Sequence, residues 1–182
     1  MTAGSGRIEI RLAGAGGQGV VTAGRILAEA AILSGKTATH SQVYGPQSRG
    51  GASRSDVVIA NGEIDFPLAE HVDVLVVLSP EAYARYEPGL SARALLLIDE
   101  AARCAPPCRA RPTKTVPIVA AARHIAGKPL LAGVVALGAL EHLVEVVDRQ
   151  ALEQAVGGRV PARHRQMNVQ ALATGARLAE EA

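Results

Sequence analysis

Two short stretches carry the side chains and backbone that could do chemistry. GAGGQG, Gly14–Gly19, fits the pattern G-x-G-x-x-G in full, after an alternating stretch and before a helical one. In that context glycines permit a tight turn and leave N–H groups at a helix start free to face a phosphate or carboxylate. YGPQSRGG, Tyr44–Gly51, puts an aromatic, a turn-forming Gly45-Pro46, the lone Arg49 and the Gly50-Gly51 pair into eight residues. It is too polar and too bent for a core, and Arg49 offers a planar fork of donors suited to an anion.

The glycine loop lacks the companions of a dinucleotide site. Such a site wants an acid about 20 residues further on, for the ribose hydroxyls, and Thr39, His40 and Ser41 stand there instead. Three readings remain: the glycines let strand and helix pack closely; they bind part of an anionic ligand or a partner's backbone; or they hold a dinucleotide. Gln18, a neutral amide at the helix start, is expected to suit a polar ligand or a neighbouring chain.

Outside these stretches little points to catalysis. The histidines at 40, 71, 124, 142 and 164 have no acid or cysteine at motif spacing, and Glu141-His142 reads as a solvated pair. Neither a nucleophile elbow nor a zinc signature nor a lysine of the Walker type is present. Cys104 and Cys108 are too few to hold a zinc ion or a cluster within one chain and read as incidental loop thiols. Net charge is +2 and the aromatic fraction 2%, so neither a basic surface nor a stacking platform for nucleic acid is expected. Arg7 and Glu9 interrupt any secretory leader, and no run approaches the ~20 apolar residues of a membrane span. A cytoplasmic protein is expected.

Elements must position the two stretches. Ile8–Gly14 alternates as a strand, and Val20–Leu33 carries apolar and small residues at three- and four-residue spacing, a helix closed by Gly35. Thr37–Val43 has weak strand character. Val57–Ile59, Asn61-Gly62 and Ile64–Phe66 predict a hairpin. Val72–Ser79 and Ala94–Asp99 are apolar runs of buried strands, with Ser79 capping a helix that has Pro80 at its first position. A short strand over Thr115–Val119 follows, then helices over Ala120–Ala126, Leu130–Val147, Asp148–Val156 and Ala162–Glu181. The expected fold is α/β: a Rossmann-like, mainly parallel sheet flanked by helices, with an inserted β-hairpin and C-terminal helices. Length argues for one domain over residues 1–182, with a flexible start over 1–6.

The pairing of GAGGQGV with SQVYGPQSRGGASRSDVVI and IDFP resembles one family: the gamma subunits of the 2-oxoacid:ferredoxin oxidoreductases, whose members act on pyruvate, 2-oxoisovalerate or 2-oxoglutarate. The likeness is greatest to the 2-oxoglutarate type. It continues through VDVLVVLSPEAY and, more weakly, VVALGAL and NVQALATG. The indolepyruvate type, which shares the fold, and a free-standing nucleotide- or coenzyme A-binding protein are the alternatives.

The resemblance implies an enzyme complex that converts a 2-oxoacid and coenzyme A to acyl-CoA and CO₂, passing electrons to ferredoxin. Thiamine diphosphate, Mg and [4Fe-4S] clusters would sit in partner alpha and beta subunits, with a delta or ferredoxin-like subunit as a further option. This chain alone would bind no cofactor, no metal and no nucleic acid, and would show no activity. It would pack on the thiamine-binding core and help shape the coenzyme A side of the active site. The implied ligand- or partner-binding loop comprises Gly14, Gly16, Gly17, Gln18, Gly19, Tyr44, Gly45, Pro46, Arg49, Gly50, Gly51 and Ser53. Arg49 would meet the substrate side, the coenzyme A phosphates or a partner's acid, or else brace its own loop. Arg54 and Asp56 are expected to form a solvent-exposed or interface pair.

Overall fold

A computed structural model describes residues 6–43, 52–104 and 111–182. Six strands form one mixed sheet: β1 (Ile8–Gly14), β2 (Thr37–Val43), β3 (Ser53–Ala60), β4 (Val74–Val77), β5 (Leu95–Asp99) and β6 (Thr113–Val116), in spatial order β2-β3-β1-β4-β5-β6. β1, β4, β5 and β6 are mutually parallel, while β3 runs antiparallel to both β1 and β2. The central strand β4 is buried at all four positions, which explains its unbroken apolar run.

Helices α1 (Val20–Leu33), α3 (Ile118–Ala126), α4 (Ala132–Val144), α5 (Arg149–Arg159) and α6 (Ala162–Glu181) bury one face of the sheet. Among the described residues one α-helix, α2 (Pro80–Tyr86), covers part of the other, over a smaller core around Leu75, Val77, Leu96 and Ile98. α1 ends as expected: Gly35 takes φ 75°, and the Lys36 and Gly35 N–H groups return to Ala31 and Ile32. Ser79 caps α2 through Oγ, with Pro80 at the first position.

α4 is buried from Ala132 to Leu140, and α6 crosses it at backbone contact. A Cβ on Gly138 would stand 2.0 Å from the Leu172 carbonyl oxygen, and one on Gly175 would stand 1.9 Å from that of Val135. The only residue type that fits at either position is glycine.

The hairpin differs from the expected one. β3 pairs with β2 across residues 44–51 and with β1 on its other side, so no edge remains for Ile64–Phe66, which is not a strand. That segment is instead held by side chains: Arg7 donates to the Phe66 and Leu68 carbonyls at 2.9 and 3.2 Å, and Thr39 Oγ1 donates to that of Pro67. β6 starts two residues earlier than expected, and Pro117 precedes α3 directly. The helix expected from Leu130 begins instead as a 3-10 turn, Pro129–Leu131, before α4. Gly157 and Gly158 do not end α5, which runs on to Arg159. Asp148 precedes α5 without a side-chain cap; its N–H donates to Ser34 Oγ.

Candidate functional site at the carboxyl edge of the sheet

β1 leads into α1 on one face, and its parallel neighbour β4 leads into α2 on the other. Adjacent strands whose crossovers diverge open a crevice at their carboxyl ends, the usual ligand position in open α/β sheets. The glycine loop occupies that point.

Its residues divide by job. Gln18 is 8% exposed; Nε2 donates to the Leu78 carbonyl at the end of β4, and Oε1 accepts from Ala15 N–H at 2.7 Å. Gln18, expected to suit a polar ligand or a neighbouring chain, uses its amide on two backbone groups of its own chain. Two backbone groups at the crevice need partners, and the amide supplies both. Gly14 makes room for it, since a Cβ there would lie 2.4 Å from Gln18 Oε1. Gly19, at φ 75°, abuts the start of α4: its Cβ would lie 2.5 Å from the Leu130 carbonyl oxygen, and Gly133 N–H donates to the Gln18 carbonyl at 2.8 Å. Gly16 and Gly17 are exposed, with open space around both. Close packing accounts for Gly14 and Gly19 and does not account for Gly16 and Gly17.

The register joins the two halves of the motif. Gly14 and Ser53 are Cα partners in the β1–β3 ladder. β2 runs in the same direction as β1, so β2 ends and β3 begins at the edge where the glycine loop sits. Tyr44, Gly45, Pro46, Arg49, Gly50 and Gly51 lie outside the described residues. Their neighbour Ala52 is buried and Val43 is 41% exposed.

Arg54 and Asp56 are not an exposed pair. Asp56 is 3% exposed and is gripped by Arg11, Nε to Oδ1 at 2.8 Å and Nη2 to Oδ2 at 2.9 Å. Arg54 Nε lies 3.3 Å from Oδ2 but off hydrogen-bond geometry, and is buried without a hydrogen bond. Arg11, Arg54 and Arg85 surround the Tyr86 ring at 5.4, 6.0 and 5.5 Å from its centroid. Sequence reading missed Arg11 and Tyr86 as part of this group. The available signal was the same-face spacing of Arg54 with Asp56, and of Arg11 in a strand whose alternate residues are apolar.

A histidine contact was missed as well. His40 Nε2 lies 2.8 Å from Ser55 Oγ beneath α1, where Gly24 has no side chain because a Cβ would meet Ser55 Oγ at 1.9 Å. Ser55 is fully buried, so the pair is packed rather than open to a substrate. Burial, then Arg25 and Arg159, push the His40 pKa down. Asp99, raised by burial, accepts from Ala101 N–H and from Val119 N–H at the start of α3. Cys104 is exposed and free; Cys108 lies outside the described residues. No helix among the described residues is long and apolar enough to cross a membrane.

Residues 9–178 match the model of the pyruvate ferredoxin/flavodoxin oxidoreductase family. The chain belongs to this family. Within the pyruvate ferredoxin/flavodoxin oxidoreductases it is 38% identical over 179 residues to 2-oxoglutarate synthase subunit KorC of Methanocaldococcus jannaschii, covering 96% of this chain and 95% of that one. The crystal structure of a keto/oxoacid ferredoxin oxidoreductase gamma subunit from Geobacter sulfurreducens is 41% identical, with a TM-score of 0.85 over 98% of this chain and 99% of that one. A 2-oxoglutarate:ferredoxin oxidoreductase from Magnetococcus marinus, solved with 2-oxoglutarate, coenzyme A and succinyl-CoA, shares the fold at 20% identity and a TM-score of 0.87. There, 98% of this chain corresponds to 32% of a longer one. The same fold thus occurs as a separate chain and as part of a longer one.

Proposed function

We propose that this chain is the gamma-type subunit of a 2-oxoacid:ferredoxin oxidoreductase, of the 2-oxoglutarate type. In this reading residues 1–182 act as one domain and dock through the carboxyl edge of the sheet. The observation that carries it is the Gly14–Ser53 register, which puts the exposed glycine tip, the end of β2 and the start of β3 along one edge. The 38% identity to a KorC subunit of nearly equal length supports the substrate class.

The chain's contribution is shape and hydrogen bonding. No three metal-ligating side chains converge among the described residues, and the reading assigns thiamine diphosphate, Mg and the iron–sulfur clusters to alpha and beta partners, with ferredoxin as acceptor. Gly16 and Gly17 present unencumbered backbone, and Arg49 supplies a fork of donors for a phosphate of coenzyme A or a partner's carboxylate. The reaction would take place in the cytoplasm.

The test is co-purification of the tagged chain from its native cell, followed by coenzyme A-dependent reduction of a dye with 2-oxoglutarate. Partners carrying thiamine diphosphate, with activity lowered by Arg49→Ala, are the expected result. An isolated chain turning over 2-oxoglutarate, or one recovered alone, would overturn the reading.

A further inference from the structure

The sheet face that carries α2 is covered unevenly. α2 packs on β1, while β2 and β3 continue beyond it. By strand alternation Thr39, Ser41 and Val43 share that face with Arg54 and Asp56, and Arg11 joins them from β1. Arg85 and Tyr86 reach it from the end of α2. Three guanidiniums therefore meet at one ring, and Asp56 is the only carboxylate paired with any of them among the described residues.

The charges do not close within this group. Both Asp56 oxygens are taken by Arg11. Arg54, with its side chain 29% exposed, holds a buried Nε without a hydrogen bond, and Arg85 is exposed. Guanidiniums stacked on an aromatic ring are partly desolvated, so a surplus of positive charge there favours an incoming anion. Beside the cluster Val43, the register partner of Arg54, is an apolar side chain 41% exposed on the same strand face. Further toward the amino end of β1 the segment bound to Arg7 and Thr39 leaves Phe66 and Leu68 exposed. Arginine and tyrosine with an exposed apolar side chain beside them are residue types enriched in protein interfaces.

We propose that the Arg11–Arg54–Arg85–Tyr86 cluster is a docking face for an acidic segment of a partner subunit, which places Asp or Glu carboxylates against Arg54 and Arg85. It rests on the reading of the chain as a subunit and adds the chemistry of the partner surface. The contact supplies orientation and salt-dependent association, since charged groups at an interface act chiefly on encounter and register.

The experiment uses the assembled complex. Arg85→Glu, at an exposed position, is expected to leave the melting temperature of the isolated chain unchanged, to weaken reassembly with the partner subunits about tenfold or more, and to flatten the dependence of affinity on salt. In parallel, Arg85→Lys is treated with a zero-length carbodiimide, which joins an amine to a carboxylate; a cross-linked partner peptide through Asp or Glu is the expected product. Unchanged assembly and salt dependence in Arg85→Glu would overturn the proposal. So would intact assembly with a raised KM for coenzyme A, which would make the cluster an anion site for the co-substrate. If the unaltered chain assembles with nothing, the subunit reading itself fails; a complex that forms normally without the cross-link overturns only the docking face.

Discussion

Two arginine groups on one side of the sheet handle charge in opposite ways. At the amino end of β1, Arg7 bonds Glu9 at 2.7 and 3.1 Å and two carbonyls of the 66–68 segment. Glu9, 5% exposed, also accepts from His71 N–H, and its own N–H is held by Asp73. Each donor has an acceptor inside the chain. Two residues along the strand, Arg11 shares Asp56 with Arg54 and shares Tyr86 with Arg54 and Arg85. The first group latches a loop that has no strand or helix to hold it. The second ends in positive charge facing outward. Closure marks a structural network, and surplus marks a surface prepared for another molecule.

The sharpest way to break that comparison is to remove one member from each group. Glu9→Ala leaves Arg7 and the His71 N–H without their acceptor and should cost about 3 kcal/mol, since stripping one partner from a mostly buried pair is expensive. For a chain of this length that lowers Tm by roughly 6–12 °C. Arg85→Ala should fall within about 0.5 kcal/mol of the parent, as exposed substitutions usually do. Thermal melts of the two variants side by side decide it; similar losses would mean that the arginine cluster is structural too.

The second contrast lies within the glycine loop. Gly19→Ala forces a side chain into a left-handed backbone at φ 75° and into the Leu130 carbonyl at 2.5 Å. A loss of about 2 kcal/mol is expected in chemical denaturation. A neutral Gly19→Ala would show that the start of α4 moves freely against the loop.

Local pattern revealed most of the scaffold and little of the wiring. β1, α1, β4 and β5 were legible because alternation, three- and four-residue spacing and apolar runs are properties of neighbouring residues. Asn61-Gly62 misled because a turn signal says nothing of whether the next strand has a free edge, and β3 has none. Gln18 stood out by its amide at the helix start, but the direction of that amide depends on the Leu78 carbonyl, 60 positions away. Arg11 and Asp56 are 45 apart in sequence and meet only through the β1–β3 register. The mixed strand order, not any motif, brings Gly14 to Ser53.

A smaller effect probes charge on the opposite face. His40 has a pKa below its ordinary 6.5, mainly from burial and next from Arg25 and Arg159. The unfolded chain therefore takes up the proton first as pH falls. Stability from the neutral ring is complete above pH 6.5 and declines below it. Melting temperatures at about pH 7.5 and pH 5.5 should differ more in the parent than in His40→Gln. An equal difference would show that other groups govern acid stability.

The smallest expected change in stability tests the functional edge most directly. At Gly16 a Cβ would meet nothing within 4 Å, and positive φ is confined to its neighbours Gly17 and Gly19 within this loop. Gly16→Ala should therefore fold normally, with stability within about 0.5 kcal/mol of the parent. Any consequence must come from what approaches the tip. If a partner's backbone or a coenzyme A phosphate comes close there, the added methyl group keeps it at a distance, and assembly or KM for coenzyme A changes while Tm does not. If assembly, KM and Tm all stay at their parental values, the glycine loop serves packing alone, and the binding role at this edge passes to the segment beside Ser53.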